Sequence, residues 1–167
     1  MSNGRKNAAE RKFQEKFVQK LQQYKWDAPD FLNGNKQKVT VDDLIAHWRD
    51  ELNRINTDVL EHVPLTDNEF AQVMAKVSQI ENSYEAAKIL AMEQSTGKID
   101  GIYRDPHPNV TREQITLTIF KKAQVRGGDT SYKIAREVET PNGNRFDLVL
   151  LINGLPLINI EQKRTDK

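Results

Sequence analysis

An α+β fold is what this sequence predicts, with N-terminal helices followed by a mostly antiparallel or mixed sheet. Three observations predict it. Apolar residues recur at helical spacing through the first half of the chain. After Gly97 the period changes to two, as strands require. Turn signals at Asp105-Pro-His-Pro-Asn109, Pro141-Asn-Gly-Asn144 and Asn153-Gly154 then divide the second half into strand-length pieces. Helices first and strands after is the order of an α+β domain. We read one domain over residues 1–167, mainly helical in 1–97 and sheet-forming in 98–167.

The first helix is expected from about Ala8 to Tyr24, where Phe13, Phe17, Leu21 and Tyr24 recur among Lys, Glu and Gln. At that spacing Phe13 and Phe17 read as core residues rather than base-stacking ones. Lys25 to Lys38, with Pro29 and Gly34, reads as a loop. Thr40 with Asp43 resembles a capping box, and Leu44, Ile45, Trp48, Leu52 and Ile55 follow on one helical face. Pro64 breaks the chain. Thr66 with Glu69 is a better capping box, leading into Phe70, Val73, Met74, Val77 and Ile80. A fourth short helix is expected over Ser83 to Leu90, ended by Gly97. Strands follow at Ile99–Tyr103, Ile115–Phe120, Ser131–Val138, Leu148–Ile152 and Leu155–Glu161, and Arg126-Gly-Gly-Asp129 reads as a loop. The unbroken apolar run Leu148 to Ile152 suits a strand covered on both faces.

Composition limits the chemistry. The chain has 167 residues, 37% hydrophobic and 29% charged, with a net charge of +1. No global field draws in nucleic acid, so any phosphate binding must come from a local patch. There are no cysteines, which excludes disulfides, thiolate zinc sites and thiol nucleophiles and fits a reducing cytosol. Met1 to Phe13 has no apolar leader region and no run is long enough to span a bilayer, so a soluble cytoplasmic protein is expected.

The chemistry concentrates in the run RFDLVLLINGLPLINIEQKR, which carries Asp147, Glu161 and Lys163. Two carboxylates hold a hard cation, and a lysine steadies a scissile phosphate. Magnesium prefers oxygen ligands, so Asp147, Glu161 and the carbonyl of Gln162 form the expected metal set, with Asp147, Glu161 and Lys163 catalytic. Hairpin parity sets a condition. A two-residue loop at Asn153-Gly154 places Asp147 opposite Ile160, with Glu161 facing the other way. A three-residue loop, or a bulge near Gly154, places Asp147 opposite Glu161. An acid at one strand end and Glu-x-Lys at another are also ordinary surface residues; what separates these is their position directly against buried apolar strands.

The same run, NRFDLVLLINGLPLINIEQKR, closely resembles the nuclease block of the restriction (R) subunit of type I restriction-modification enzymes. There the pattern is R-x-D, an apolar strand, V-N-G-L-P-L, an apolar pair and I-E-x-K. PLTDNEF, SYEAAKIL, DGIYRD and ITLTIF follow the family's order more loosely, so that the resemblance covers Val63 to Lys167. It implies a PD-(D/E)xK nuclease fold and magnesium-dependent cleavage of DNA. It also implies partnership with methyltransferase and specificity subunits, and ATP use only through motor domains absent from this chain. It implies an acid on the early helix, for which Glu10 is the candidate. Gln162 stands where an apolar residue is usual in the family. The family's glutamine–tyrosine motif falls beyond Lys167, and we expect an incomplete fragment that is inactive or nearly so by itself.

The remaining features read as structural. His47, His62 and His107 have no ligand-spaced partners, so no zinc site is expected. Lys121, Lys122 and Arg126 form one small basic cluster and Lys163, Arg164 and Lys167 another; the first reads as solvated surface. No P-loop or nucleophilic serine motif is present. A non-catalytic assembly module, docking other subunits or motor domains through Val39 to Leu90, is the alternative reading. A repair or recombination nuclease sharing the motif is a third.

Overall fold

The computed structural model describes residues 8–34, 38–82, 86, 96–121 and 128–162. It is α+β, with helices leading into a mixed sheet. The helix expected over Ser83 to Leu90 falls outside the described residues except for Ala86. Gly97 lies within a strand rather than capping that helix. None of the described helices is long and apolar enough to cross a membrane. Contacts gather into two compact units, Met1–Ile45 with Ser131–Lys167, and Ala46–Thr130.

The first unit is built on a four-stranded sheet of order β1-β4-β5-β6. Its strands are β1 (Val39–Thr40), β4 (Tyr132–Glu139), β5 (Arg145–Ile152) and β6 (Leu155–Ile160). The three long strands form an antiparallel meander, as adjacent hairpins dictate. β1 pairs parallel with β4, Val39 against Val138. Its two residues sit inside the capping segment of the next helix, where no strand period is readable.

Both faces of the meander are covered. On one face Ile134, Leu148 and Leu150 meet Val18, Phe17 and Leu21 of helix α1 (Ala8–Gln22). On the other, Ala135, Val149 and Leu151 meet Leu32, Val39 and Leu44. This is why Leu148 to Leu151 reads as an unbroken apolar run, and each fully buried leucine contributes about 1.5–3 kcal/mol. The buried face of α1 departs from the sequence expectation by one residue. Gln14, Phe17, Val18 and Leu21 face inward, while Phe13 is 61% and Tyr24 70% exposed. Phe13 is therefore not core. Within the segment expected to be a loop, Asp30–Leu32 forms a 3-10 turn that buries Leu32. Asn33 fixes this turn by donating to the carbonyls of Pro29 and Ile134 and accepting from Arg136.

Helix α2 (Val41–Ile55) begins at the Thr40/Asp43 box, where the Thr40 N–H donates to Asp43 Oδ2 at 2.7 Å. The second unit holds most of α2, helix α3 (Asp67–Ser78) and a two-stranded ladder of β2 (Thr96–Tyr103) and β3 (Gln114–Lys121). Asn56 ties α2 to β3, accepting from Thr118 N and donating to Thr118 O. α3 starts with the full Thr66/Glu69 capping box. Glu69 does more than cap: its Oε1 accepts from Arg104 Nε at 3.0 Å and from the Asp105 N–H at 2.7 Å. Arg104 also donates to the carbonyls of Leu60 and Val63. The PLTDNEF and DGIYRD segments thus meet through an ion pair in which both side chains are 1% exposed.

A buried pair with one member removed leaves an uncompensated charge, so Glu69→Ala is expected to lower unfolding free energy by about 3–5 kcal/mol in urea titration. Asp105 behaves differently. The Thr66 hydroxyl and the Asn68 amide hold its carboxyl below the usual value of 3.8. A depressed carboxylate contributes stability above its unfolded pKa that is lost as pH falls through the lower folded value. Asp105→Asn is expected to flatten the acid limb of melting temperature against pH below about pH 4.

Candidate active site

The hairpin between β5 and β6 decides where the acids stand. Ile152 pairs with Leu155, which closes a two-residue loop of Asn153 and Gly154. Their φ values of 50 and 77 are both left-handed, as a type I′ turn demands, and glycine takes the second at little cost. Asn153 is held in place by exchanging hydrogen bonds with Ser131, its Oδ1 accepting from the Ser131 N–H at 3.0 Å. Carried on regularly, this loop would set Asp147 against Ile160. The register instead shifts between Leu150 and Leu151: Leu151 pairs with Pro156, Leu150 with Ile158 and Leu148 with Ile160. Leu157 is the extra residue, a β-bulge on the outer strand. The last pair of the shifted register is Leu148 with Ile160; continued by one residue, it would set Glu161 opposite Asp147. The sequence-derived condition for a shared site, a bulge near Gly154, is met.

Apolar burial selects this register. It places Ile160 against Leu148 in the cluster that contains Val18. A regular hairpin would put Asn159 there instead. Pro156, which has no N–H to donate, is tolerated because β6 is an edge strand.

Asp147 is half-buried at the start of β5 and is held from two sides. Its Oδ2 accepts the Gln162 N–H at 2.8 Å. Its main-chain carbonyl accepts from Gln14 Nε2 at 2.8 Å. Gln14 is only 4% exposed and lies on the inward face of α1. The β4–β5 ladder is also irregular here. Its pairs run from Arg136↔Leu148 to Val138↔Phe146 and pass over Glu137, which stands level with Asp147. Glu137 has φ 57, a conformation that costs a non-glycine residue about 1–2 kcal/mol. Its carboxylate pairs with Arg145 at 2.8 Å.

Of the residues singled out in sequence, Asp147 lies on β5, Glu161 is exposed one residue past β6, and Gln162 follows it. Lys163, Arg164 and Lys167 are outside the described residues, as are Lys122 and Arg126. Glu10 is on α1, one helical turn before Gln14, and its side chain is outside the described residues. Sequence reasoning missed Gln14, although a signal existed: it is polar at a position in phase with Val18 and Leu21. It also missed Glu137 and Arg145. The donor set here is oxygen: two carboxylates at one end of a hairpin, with main-chain carbonyls beside them. Hard donors of this kind suit magnesium, so the residues fit such an ion. Among the described residues, no three His, Asp or Glu side chains gather as a metal-ligating group.

Residues 7–167 match the family model described as type I restriction enzyme R protein N terminus. The chain belongs to that family. It is similar to the endonuclease subunit of type I restriction enzyme SauCOLORF180P of Staphylococcus aureus strain COL, with 28% identity over 133 residues. That match covers 77% of this chain and 13% of the relative. The SauMSSORF170P endonuclease subunit of strain MSSA476 is 29% identical over the same shares. The SsaAORF53P endonuclease subunit of Staphylococcus saprophyticus is 28% identical over 123 residues, 72% of this chain and 12% of the relative. This R-protein N-terminal chain thus spans about an eighth of the length of the relatives it matches.

Gln14→Leu tests how firmly α1 holds the Asp147 strand. The change keeps the bulk and removes the donor, so the carbonyl of Asp147 loses its side-chain partner. The expected cost is about 1–3 kcal/mol by chemical denaturation. A near-neutral result would mean that α1 is held by packing alone.

Proposed function

We propose that this chain carries the nuclease site of a type I restriction endonuclease subunit, of PD-(D/E)xK type, and that in the whole protein it hydrolyses DNA phosphodiesters with magnesium. One observation carries the reading: the 2.8 Å hydrogen bond from the Gln162 N–H to Asp147 Oδ2, in a register that brings Glu161 level with Asp147. In this reading the two acids share one end of the hairpin, Asp147 from β5 and Glu161 from just past β6, and the hydrogen bond from the Gln162 N–H supports it. Residues 1–167 form one nuclease-like domain in this reading, with the chemistry confined to the unit that contains Asp147.

Asp147, Glu161 and the carbonyl of Gln162 would hold the ion. When bound it supplies Lewis acidity toward the phosphate and lowers the pKa of a coordinated water. The protein's own groups do the rest. The Gln162 N–H orients the Asp147 carboxylate, and a preoriented ligand loses less on binding. Lys163 stabilises charge that grows on the phosphate oxygens and orients the attacking water. In hydrolysis a water oxygen bonds to phosphorus as the bond from phosphorus to the leaving sugar oxygen breaks, one proton of the water passing to solvent and the leaving oxygen taking one from solvent. Glu10, from α1, is the accessory acid of this reading.

The partners are DNA and the methyltransferase and specificity subunits of the complex, in the cytoplasm, with ATP used only by motor domains elsewhere in the protein. The rival reading, an assembly module formed by Val39 to Leu90, needs exposed apolar surface. Among the described residues, the exposed large hydrophobic side chains are Phe13, Tyr24, Phe31, Tyr103, Leu157 and Ile158, none of them in that segment.

Asp147→Ala, Glu161→Ala and Lys163→Ala in the full-length subunit are each expected to lower DNA cleavage by about 10²-fold or more while circular dichroism stays that of the wild type. Chelation of divalent ions should stop cleavage, and added magnesium should restore it. Wild-type cleavage by purified Glu161→Ala would refute the assignment.

A further inference from the structure

Arg145 sits two residues before Asp147 on β5, and the nuclease chemistry above gives it no task. Its side chain is 38% exposed, and its guanidinium is paired through Nη1 with Glu137 Oε2 at 2.8 Å. Glu137 in turn stands level with Asp147, in a left-handed conformation that residues other than glycine rarely adopt. A partly exposed ion pair contributes little after screening and side-chain ordering, and the left-handed glutamate is itself a cost. Backbone strain of this kind gathers at sites that need a fixed geometry. The guanidinium has five N–H donors, and the contact with Glu137 uses one nitrogen. The rest of the fork remains for an oxyanion, and phosphate is the group whose geometry the fork matches. The chain's net charge of +1 means that attraction for DNA must come from local cations such as this one.

We infer that Arg145 is a DNA-backbone contact of this site, taking a phosphate oxygen close to the cleaved bond while Glu137 holds the guanidinium in place. This rests on the nuclease reading of Asp147 and Glu161. Arg145 reads no base, so its contribution is the same for every sequence.

The test is binding of a labelled duplex DNA to the full-length subunit, without divalent ions, across a range of salt concentrations. Arg145→Ala is expected to weaken binding about tenfold. It should reduce the slope of log affinity against log salt by about 0.9, the loss of one phosphate contact. Arg145→Lys keeps the charge, so it should keep the slope and lose part of the affinity with the fork. Arg145→Gln gives the same reading as alanine if the alanine variant does not fold. An unchanged slope in Arg145→Ala or Arg145→Gln overturns the inference. So does equal loss of melting temperature in Arg145→Ala and Glu137→Ala with no change in slope, which would mark the pair as a structural clip. Failure of the nuclease reading shows elsewhere: Asp147→Ala would then still cleave DNA, whatever the salt slope of Arg145→Ala.

Discussion

The hydrogen bond from the Gln162 N–H to the Asp147 carboxylate is the constraint on which the site depends. It exists because β6 reaches Asp147 in a register shifted by one residue, and that shift is the bulge at Leu157. Side chains alternate along a strand, so a slip of one residue moves every side chain to the opposite face. With a regular hairpin, Glu161 would face away from Asp147. With the bulge, it comes level with it. The bulge is in turn favoured by burial, because the shifted register sets Ile160 against Leu148 and so against the cluster that contains Val18. Core packing and the placement of chemistry are therefore one event at this hairpin.

The surroundings of Asp147 show how an irregular position in a sheet is kept. Its carbonyl is held by a glutamine from α1 and its carboxylate by a main-chain N–H past the end of β6. The neighbouring strand passes it in a left-handed residue. The left-handed residue costs about 1–2 kcal/mol, and the two hydrogen bonds would each cost of order 1 kcal/mol or more to lose. They persist because the rest of β5 is buried on both faces, with Leu148 and Leu151 fully enclosed. A rigid apolar frame supports one strained polar corner, the usual division of work in a functional site.

The second unit has its own organising contact. Glu69 caps α3, pairs with Arg104 and accepts the Asp105 N–H, all with a side chain out of water. Two sequence segments that resemble the R-protein family only loosely, PLTDNEF and DGIYRD, become intelligible as the halves of this network. Its residues specify how a helix and a strand end join, and none of them reaches toward chemistry of its own.

Much of this protein was legible in its sequence. Capping boxes at Thr40/Asp43 and Thr66/Glu69, the Asn153-Gly154 turn and the doubly buried run of β5 all arise from interactions within a few residues, so local pattern determines them. The proposed site acids, Asp147 and Glu161, could be named in sequence as carboxylates beside apolar strands, but whether they meet is not a local matter, since 14 residues separate them. Tertiary structure alone decided the rest. The inward phase of α1 passed from Phe13 to Gln14, which donates to the main-chain carbonyl of Asp147, a partner 133 residues away that the helix's own hydrophobic stripe does not reveal. The parallel partner of Val39 lies 99 residues away, beyond the reach of any local signal. The sequence posed the choice between two hairpin parities without resolving it. Packing of Ile160 into a core assembled from α1, β4 and β5 settled it, since only the folded chain brings those surfaces together.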